Sequence, residues 1–144
     1  GFTTLDKHLV AIRPASASKN GKAREIWRME ETMPHIPSPL LSENRLYMWA
    51  DNGVITCLRP QTGEKVWKAR VENVKDTFFG SPVLAGDTVF CVSAYGQVVA
   101  IADRDEFKQL GVTDLGEVCR STPALANGDL YLRTAERLIC VRGL

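Results

Sequence analysis

The amino-acid sequence predicts an all-β fold, a partial β-propeller of about three and a quarter four-stranded antiparallel blades. One motif recurs three times, with proline anchors at Pro39, Pro82 and Pro123 that are 43 and 41 residues apart. Each copy consists of short apolar runs separated by Asn, Asp and Gly, which is the pattern of strands joined by hairpins. Four short strands in a period near 40 residues are typical of propeller blades.

The N-terminal segment, residues 1–30, is interpreted as the end of a blade. Its run at 9–14 matches the third-strand run at 55–60, and a stub of one more strand is expected around residues 1–4. A loop at 15–24 rich in Ala, Ser, Lys and Asn follows. We interpret its basic residues as a solvated face rather than a binding patch; they are Lys19, Lys22 and Arg24.

The rest of the 1–144 partial propeller divides into three units. Residues 35–70 and 79–115 each contain the runs for a full blade, and residues 119–144 form a final blade that lacks its fourth strand. Turns between the second and third strands contain Gly53 and Gly96, where a positive φ costs glycine little. The last copy has Ala135-Glu136 at this place, so a different turn is expected there.

A closed propeller has four to eight blades, so this chain is expected to be a piece of a longer protein or to complete itself by association. Because it begins in the middle of a blade, we expect the N-terminal half of the parent to be missing. Terminal blades would expose apolar faces and unpaired strand edges. The chain in isolation is therefore expected to dimerise or aggregate.

Composition and charge exclude several classes of partner. The 144 residues are 44% hydrophobic and 24% charged, and the formal net charge is +1. A nearly neutral chain has no general electrostatic reason to bind nucleic acid or an anionic membrane. The apolar runs are too short for a membrane span, and no targeting segment is visible.

Four cysteines, at positions 57, 91, 119 and 140, are widely spaced. Without a Cys-x-x-Cys pair or a Cys/His cluster they carry no zinc signature, so no metal site is predicted. We interpret them as buried free thiols that act as small hydrophobic residues. The sequence does not decide whether two of them form a disulfide, nor whether the protein resides in an oxidising or a reducing compartment.

No catalytic residues can be assembled from the sequence, and the chain is not expected to be an enzyme. The two histidines, His8 and His35, lie in different blades, and no Gly-x-Ser-x-Gly elbow or Walker loop occurs. Acidic residues cluster only at Asp103, Asp105 and Glu106, in what we interpret as a solvated turn. No catalytic, cofactor-binding or metal-binding residue is therefore assigned.

The connections that precede the proline anchors are the best candidates for a ligand face, since such connections ring one face of a propeller. His35, Phe79 and Arg120 occupy these connections. Imidazole, aromatic and guanidinium groups on a shared face would suit an acidic or aromatic ligand. The alternative is that they are ordinary loop residues.

The segment from Cys57 to Trp67, Cys-Leu-Arg-Pro-Gln-Thr-Gly-Glu-Lys-Val-Trp, resembles the repeat of pyrroloquinoline-quinone-type propellers. That repeat reads Ala-x-Asp-x-x-Thr-Gly-x-x-x-Trp. Thr62, Gly63 and Trp67 match it, whereas Cys57 replaces the Ala and Arg59 replaces the Asp.

The N-terminal copy resembles the same repeat, with Trp27 in place and Arg13 again at the position of the Asp. The resemblance implies that Thr62 and Gly63 form the turn from third to fourth strand, and that Trp27 and Trp67 pack between blades. A buried aromatic ring of this kind can bury about 150–250 Å². Trp49, at the end of a second strand, is expected to be partly exposed.

The resemblance also implies two classes of function. Quinoprotein dehydrogenases of this family hold their cofactor with a catalytic Asp, a calcium ion and often adjacent cysteines, and no residue here can be matched to that set. The chain is more similar to the propeller lipoprotein of the outer-membrane barrel-assembly machine. That likeness implies a non-catalytic protein-interaction or scaffold module, periplasmic or secreted, which binds a protein partner or itself through open blade edges.

No cofactor is predicted under this interpretation. The alternative is part of a quinone-dependent oxidoreductase, using pyrroloquinoline quinone and calcium, whose catalytic residues lie in the absent N-terminal half. A sensor or carbohydrate-binding propeller is neither supported nor excluded by the residues.

Overall fold

The structure, a computed structural model of the chain, describes residues 2–5, 8–17, 19–30, 34–75 and 77–143. Within these ranges the chain forms four antiparallel sheets and one short 3-10 turn at Ala15–Ala17. In every sheet, strands that are neighbours in sequence are neighbours in space. The predicted all-β fold of antiparallel blades is confirmed.

We number the sheets blade 1 to blade 4 in chain order. The strands are β1 (Phe2–Leu5), β2 (His8–Arg13) and β3 (Arg24–Glu30) in blade 1; β4 (Leu40–Leu41), β5 (Leu46–Trp49), β6 (Val54–Leu58) and β7 (Lys65–Arg70) in blade 2; β8 (Val83–Ala85), β9 (Thr88–Val92), β10 (Gln97–Ala102) and β11 (Gln109–Asp114) in blade 3; and β12 (Ala124–Ala126), β13 (Asp129–Arg133) and β14 (Leu138–Val141) in blade 4. Blade 1 therefore has a whole strand, β1, where only a stub was expected.

The blades share a local irregularity that reflects the sequence repeat. The pairing of the last two strands shifts register between Ala11 and Ile12 in blade 1 and between Cys57 and Leu58 in blade 2. In blade 3 the same shift falls after Ala100. A β-bulge of this kind increases strand twist, so each of these blades twists more strongly at the same place.

The core consists of apolar layers between successive sheets, and blades 2 and 3 have such a layer on both faces. The largest layer lies between blades 2 and 3, and it includes Tyr47, Trp49, Phe78, Cys91 and Ile101. Trp49 is 0% exposed, and its ring centroid lies 5.4 Å from that of Phe78. The expectation that Trp49 is partly exposed was wrong, because Phe78 from the following connection covers it.

The outer face of blade 4 is open to solvent. Tyr131 pairs with Cys140 in its sheet as Tyr47 pairs with Cys57 in blade 2. Blade 3 covers the pair in blade 2, whereas Cys140 is exposed and the neighbouring Leu138 is 70% exposed. All four thiols are free, and the other three are buried as expected, but for Cys140 the expectation of burial was wrong.

The two ends of the sheets differ in what they carry, because successive turns of an antiparallel meander lie at opposite ends. One end, which we call the connection face, carries the blade-to-blade connections at 34–39, 77–82 and 115–123 together with the turns between second and third strands. The opposite end, which we call the hairpin face, carries the turns between first and second strands and between third and fourth strands.

Candidate functional site

Tryptophan side chains join each blade to the next on the hairpin face. The Trp27 indole N–H donates a hydrogen bond to the Pro60 carbonyl oxygen at 2.9 Å. Gly63, in the Thr62-Gly63 turn of blade 2, faces the Trp27 ring so closely that an added Cβ would lie 2.7 Å from it. Trp27 therefore requires glycine at this position of the neighbouring blade.

Trp67 makes the corresponding contact one blade further along. Its indole N–H donates to the Arg104 carbonyl oxygen at 3.1 Å, and its ring lies 5.4 Å from that of Phe107 in blade 3. Within its own sheet it lies 5.8 Å from the Tyr47 ring. The contacts of both tryptophans hold blades together and leave neither indole N–H available to a ligand.

A charge network joins blades 2 and 3 on the same face. Arg45 contacts Asp103 at 2.7 Å and Asp105 at 2.8 Å, and Arg59 contacts Asp105 at 2.6 Å. The interpretation of residues 103–106 as a solvated turn was therefore wrong for Asp103, whose side chain is largely buried, whereas Asp105 is exposed as expected although it is paired. The turns of successive blades pack side by side here, so acids of one blade meet arginines of the other.

Tyr47 completes this network from the core. Its hydroxyl donates to the Asp103 carboxylate at 2.5 Å. Burial and this hydrogen bond raise the pKa of Tyr47 far above its ordinary value, so the phenol stays protonated and donates. Burial alone would raise the pKa of Asp103, but the hydrogen bonds from Arg45 and Tyr47 outweigh it and lower that pKa.

The connection face brings together two of the three residues expected to form a ligand face. The Arg120 guanidinium lies over the Phe79 ring, 5.3 Å from its centroid. His35 is exposed, and its backbone N–H donates to the Asp51 carboxylate at 3.0 Å. Ile36, not His35, is the residue three positions before its proline anchor, as Phe79 and Arg120 are. In the described chain, no hydrogen bond or ring contact joins His35 to Phe79 or Arg120.

The residues before the prolines link the connections of successive blades. The backbone N–H of Ser38 donates to the Ser81 hydroxyl at 2.9 Å, and that of Ser81 donates to the Thr122 hydroxyl at 2.9 Å. Gly80 lies so close to the next connection that an added Cβ would be 2.6 Å from the Ser121 carbonyl oxygen. These repeated contacts fix the positions of Phe79 and Arg120 on adjacent blades.

A cavity of about 300 Å³ opens on the connection face beside Arg120. Its lining combines cationic, hydroxyl and apolar groups, supplied by Val118, Arg120, Ser121, Arg133, Thr134 and Ala135. Sequence reasoning missed Arg133, although its position at the end of β13, beside the turn that faces the connection, was a usable signal.

Within the described chain, the side chains of Arg120 and Arg133 have no carboxylate partner. The acid nearest to Arg120 in sequence is Glu117, whose carboxylate accepts a hydrogen bond from the Thr134 hydroxyl and pairs with Arg137. The Thr134 hydrogen bond, helped by Arg137, lowers the pKa of Glu117 and keeps it ionised. The cavity is therefore positively charged and has an apolar wall at Val118, which is 50% exposed.

A second cavity, of about 390 Å³, lies in the hairpin between β2 and β3. Arg13, Lys19 and Arg24 line it together with Ala17 and Asn20. The described residues of the loop at 15–24 are exposed, as expected, and two of its basic residues converge with Arg13 on this open cavity.

The buried thiols Cys57 and Cys91 are protonated near neutral pH and are therefore poor nucleophiles or metal ligands. Burial raises the pKa of the Cys57 thiol to about 12 and also raises that of Cys91, so neither is a thiolate near neutral pH. No three His, Cys, Asp or Glu side chains among the described residues are placed to hold a metal ion. None of the helical segments described is long and apolar enough to cross a membrane.

Comparisons with known proteins place the fold. The family model of outer membrane protein assembly factor BamB matches residues 15–109. The crystal structure of BamB from Moraxella catarrhalis is similar with a TM-score of 0.71 and 19% identity, over 96% of this chain and 41% of that one. A europium-containing methanol dehydrogenase is similar with a TM-score of 0.56 and 13% identity, over 78% of this chain and 24% of that one.

At these identities the two structural likenesses show the fold alone. The chain spans less than half the length of the BamB structure that it matches. A comparison with curated proteins finds no significant match.

Proposed function

The chain belongs to the family of outer membrane protein assembly factor BamB, and from this premise we propose that it is a non-catalytic propeller module that binds a protein partner. The family description supports a role in assembly rather than turnover. The same kinship supports a periplasmic location. The observation that carries the proposal is the cavity on the connection face, where two arginines that have no carboxylate partner in the described part of the chain lie beside an aromatic ring and an apolar wall.

The chemistry of this cavity defines the kind of segment it would hold. Arg120 and Arg133 offer planar guanidinium groups that bind carboxylates with two hydrogen bonds each. Phe79 and Val118 supply the apolar contact that an aromatic or aliphatic side chain would cover. An extended segment that alternates acidic and aromatic residues meets both demands, and open connections leave it room to lie across adjacent blades.

The test uses a fluorescein-labelled peptide that alternates Asp with Phe, and a matched peptide with Lys in place of Asp. Fluorescence anisotropy should show saturable binding of the acidic peptide only. Arg120→Ala and Arg133→Ala should each weaken it by roughly tenfold or more, the loss expected for one charge-assisted contact. Arg104→Ala is the matched control, because that exposed arginine lies on the hairpin face.

Two results would overturn this assignment. One is equal binding of the acidic and basic peptides, and the other is an equal loss from Arg104→Ala and Arg120→Ala. Either would mean that the connection-face cavity does not select the peptide.

The similarity to a methanol dehydrogenase supports a second candidate function, in which the chain is part of a quinone-dependent oxidoreductase. Pyrroloquinoline quinone with calcium should leave the absorbance spectrum and the melting temperature of the chain unchanged under our proposal. A saturable shift of either would favour the oxidoreductase instead. Our proposal therefore predicts that the chain does not bind pyrroloquinoline quinone.

A further inference from the structure

The cavity in the β2–β3 hairpin concentrates positive charge on the hairpin face, away from the proposed protein-binding cavity. Arg13 lies at the end of β2, Arg24 at the start of β3, and Lys19 in the loop between them. The volume of about 390 Å³ lies within the range of small-molecule sites. Three cations therefore surround a space large enough for an anionic group.

The pairing of the two strands places like charges directly opposite each other. Arg13 and Arg24 are register partners in the antiparallel pair that β2 and β3 form. Like charges at opposed positions destabilise a sheet. The nearest carboxylate in sequence, Glu25, does not relieve this, because it accepts hydrogen bonds from Nη2 and Nε of Arg28 at 2.7 and 3.2 Å.

In blade 2 the arginine at the position equivalent to Arg13 is neutralised by a carboxylate of the neighbouring blade. Arg59 directly follows β6, and Arg13 ends β2, the equivalent strand of blade 1; each of these arginines precedes a proline. Arg59 contacts the Asp105 carboxylate of blade 3 at 2.6 Å. Across the residues that the structure describes, Arg13, Lys19 and Arg24 have no acidic partner.

We propose that the cavity between β2 and β3 binds a phosphoryl group, with Arg13 and Arg24 as the paired guanidinium ligands and Lys19 as a third cation. A phosphate dianion presents several oxygens to these donors and neutralises the opposed arginines. The group can come from a lipid headgroup or from a soluble phosphate ester. The site is independent of the proposed protein-binding function, since it lies on the opposite face.

The test measures binding of inorganic pyrophosphate to the full chain by calorimetry and by thermal denaturation, at ionic strength matched with sodium chloride. Pyrophosphate should raise the melting temperature of the wild type. Arg13→Gln and Arg24→Gln should each weaken binding by roughly tenfold or more. Lys22→Gln is the matched control, because it removes the same charge from the same loop without touching the cavity lining, and its affinity should stay within about twofold of wild type.

A second readout separates a ligand site from a structural role. Without ligand, Arg24→Gln should leave the melting temperature unchanged or raise it, because one of two opposed like charges is gone. A fall would mean that the arginine pair is structural and would overturn the proposal. So would a pyrophosphate effect that Lys22→Gln reduces as much as Arg24→Gln does.

Vesicles distinguish the two sources of the phosphoryl group. Sedimentation with phosphatidylcholine vesicles that contain phosphatidic acid, compared with phosphatidylcholine alone, reports lipid binding, and pyrophosphate should displace it. Retention that Arg13→Gln abolishes identifies a headgroup site. Binding of pyrophosphate with no retention on vesicles supports the site equally and identifies a soluble phosphate ester.

Discussion

Replacement of Tyr47 by phenylalanine tests whether the charge network between blades 2 and 3 stabilises the fold. The Tyr47 side chain is fully buried, and its hydroxyl is 2.5 Å from a carboxylate oxygen of Asp103. Phenylalanine keeps the ring contacts with Trp67 and removes only this donor. Asp103 then loses one of its hydrogen bonds while its carboxylate stays largely buried.

The magnitude follows from the charge on the acceptor. A hydrogen bond to a charged group contributes about 1.5–3 kcal/mol, and Asp103 is too shielded for solvent to screen much of it. For a chain of this size that loss lowers the melting temperature by roughly 5–10 °C. Circular dichroism during thermal and urea denaturation measures both quantities.

The pH dependence gives the effect a second signature. The hydrogen bonds of Asp103 lower its folded-state pKa below that of the unfolded chain, which is about 3.9. The stability that this depressed pKa contributes is therefore fully present above the unfolded value and disappears as the pH falls through the folded value. The difference between wild type and Tyr47→Phe should be complete from about pH 5 upward and should shrink below about pH 4.

Tyr131→Phe is the matched control, since Tyr131 occupies the equivalent position in blade 4 and its hydroxyl has the Cys140 thiol, not a carboxylate, as its hydrogen-bond partner among the described residues. It should destabilise the chain less than Tyr47→Phe, and its effect should not follow the titration of a carboxylate. Equal losses from the two variants, or a loss for Tyr47→Phe that persists unchanged at pH 3, would refute the reasoning.

Three further predictions concern turns, thiols and the open blade. Gly63→Ala should lower the free energy of unfolding, measured by urea denaturation, more than Gly21→Ala does. Both glycines have a positive φ, which costs an alanine about 1–2 kcal/mol, but only at Gly63 would the added Cβ meet a ring, that of Trp27 at 2.7 Å. Equal losses would contradict the Trp27 contact. A thiol reagent should modify exposed Cys140 rapidly and the buried Cys57 only after unfolding, so more than one fast thiol by absorbance would contradict the fold. Light scattering should show self-association that rises with concentration and that Leu138→Gln reduces, whereas a monomer at all concentrations would contradict it.

The repeat made the blades predictable because the signals that define a blade are local. Strand runs, turn glycines and proline anchors lie within about 40 residues of one another, and the backbone obeys them: Gly53 and Gly96 have φ values of 76° and 82° in the turns where positive φ was expected. Burial at the ends of strands was less predictable. Trp49 is covered by Phe78, a residue of the next connection, and nothing in the strand itself indicates that cover.

The contacts between blades could not be predicted, because their partners are far apart in sequence. Arg45 and Asp103 are 58 residues apart, and they meet only because the turns of successive blades lie side by side. The sequence carried one indirect signal, Arg59 at a position where the resembled repeat has an acid. Its partner Asp105 compensates from the neighbouring blade, so the departure from the repeat marked a contact and not a loose turn.

Net charge alone does not show where the charges of a fold lie. A formal charge of +1 argues against anionic partners only if acids and bases neutralise each other locally. In this fold some of the acids form structural pairs, such as Asp105 with Arg59 and Glu117 with Arg137. The arginines left over face cavities, Arg120 on the connection face and Arg13 on the hairpin face. A chain that is neutral as a whole thus presents two separate positive cavities, and the two sets of arginine variants distinguish which of them binds what.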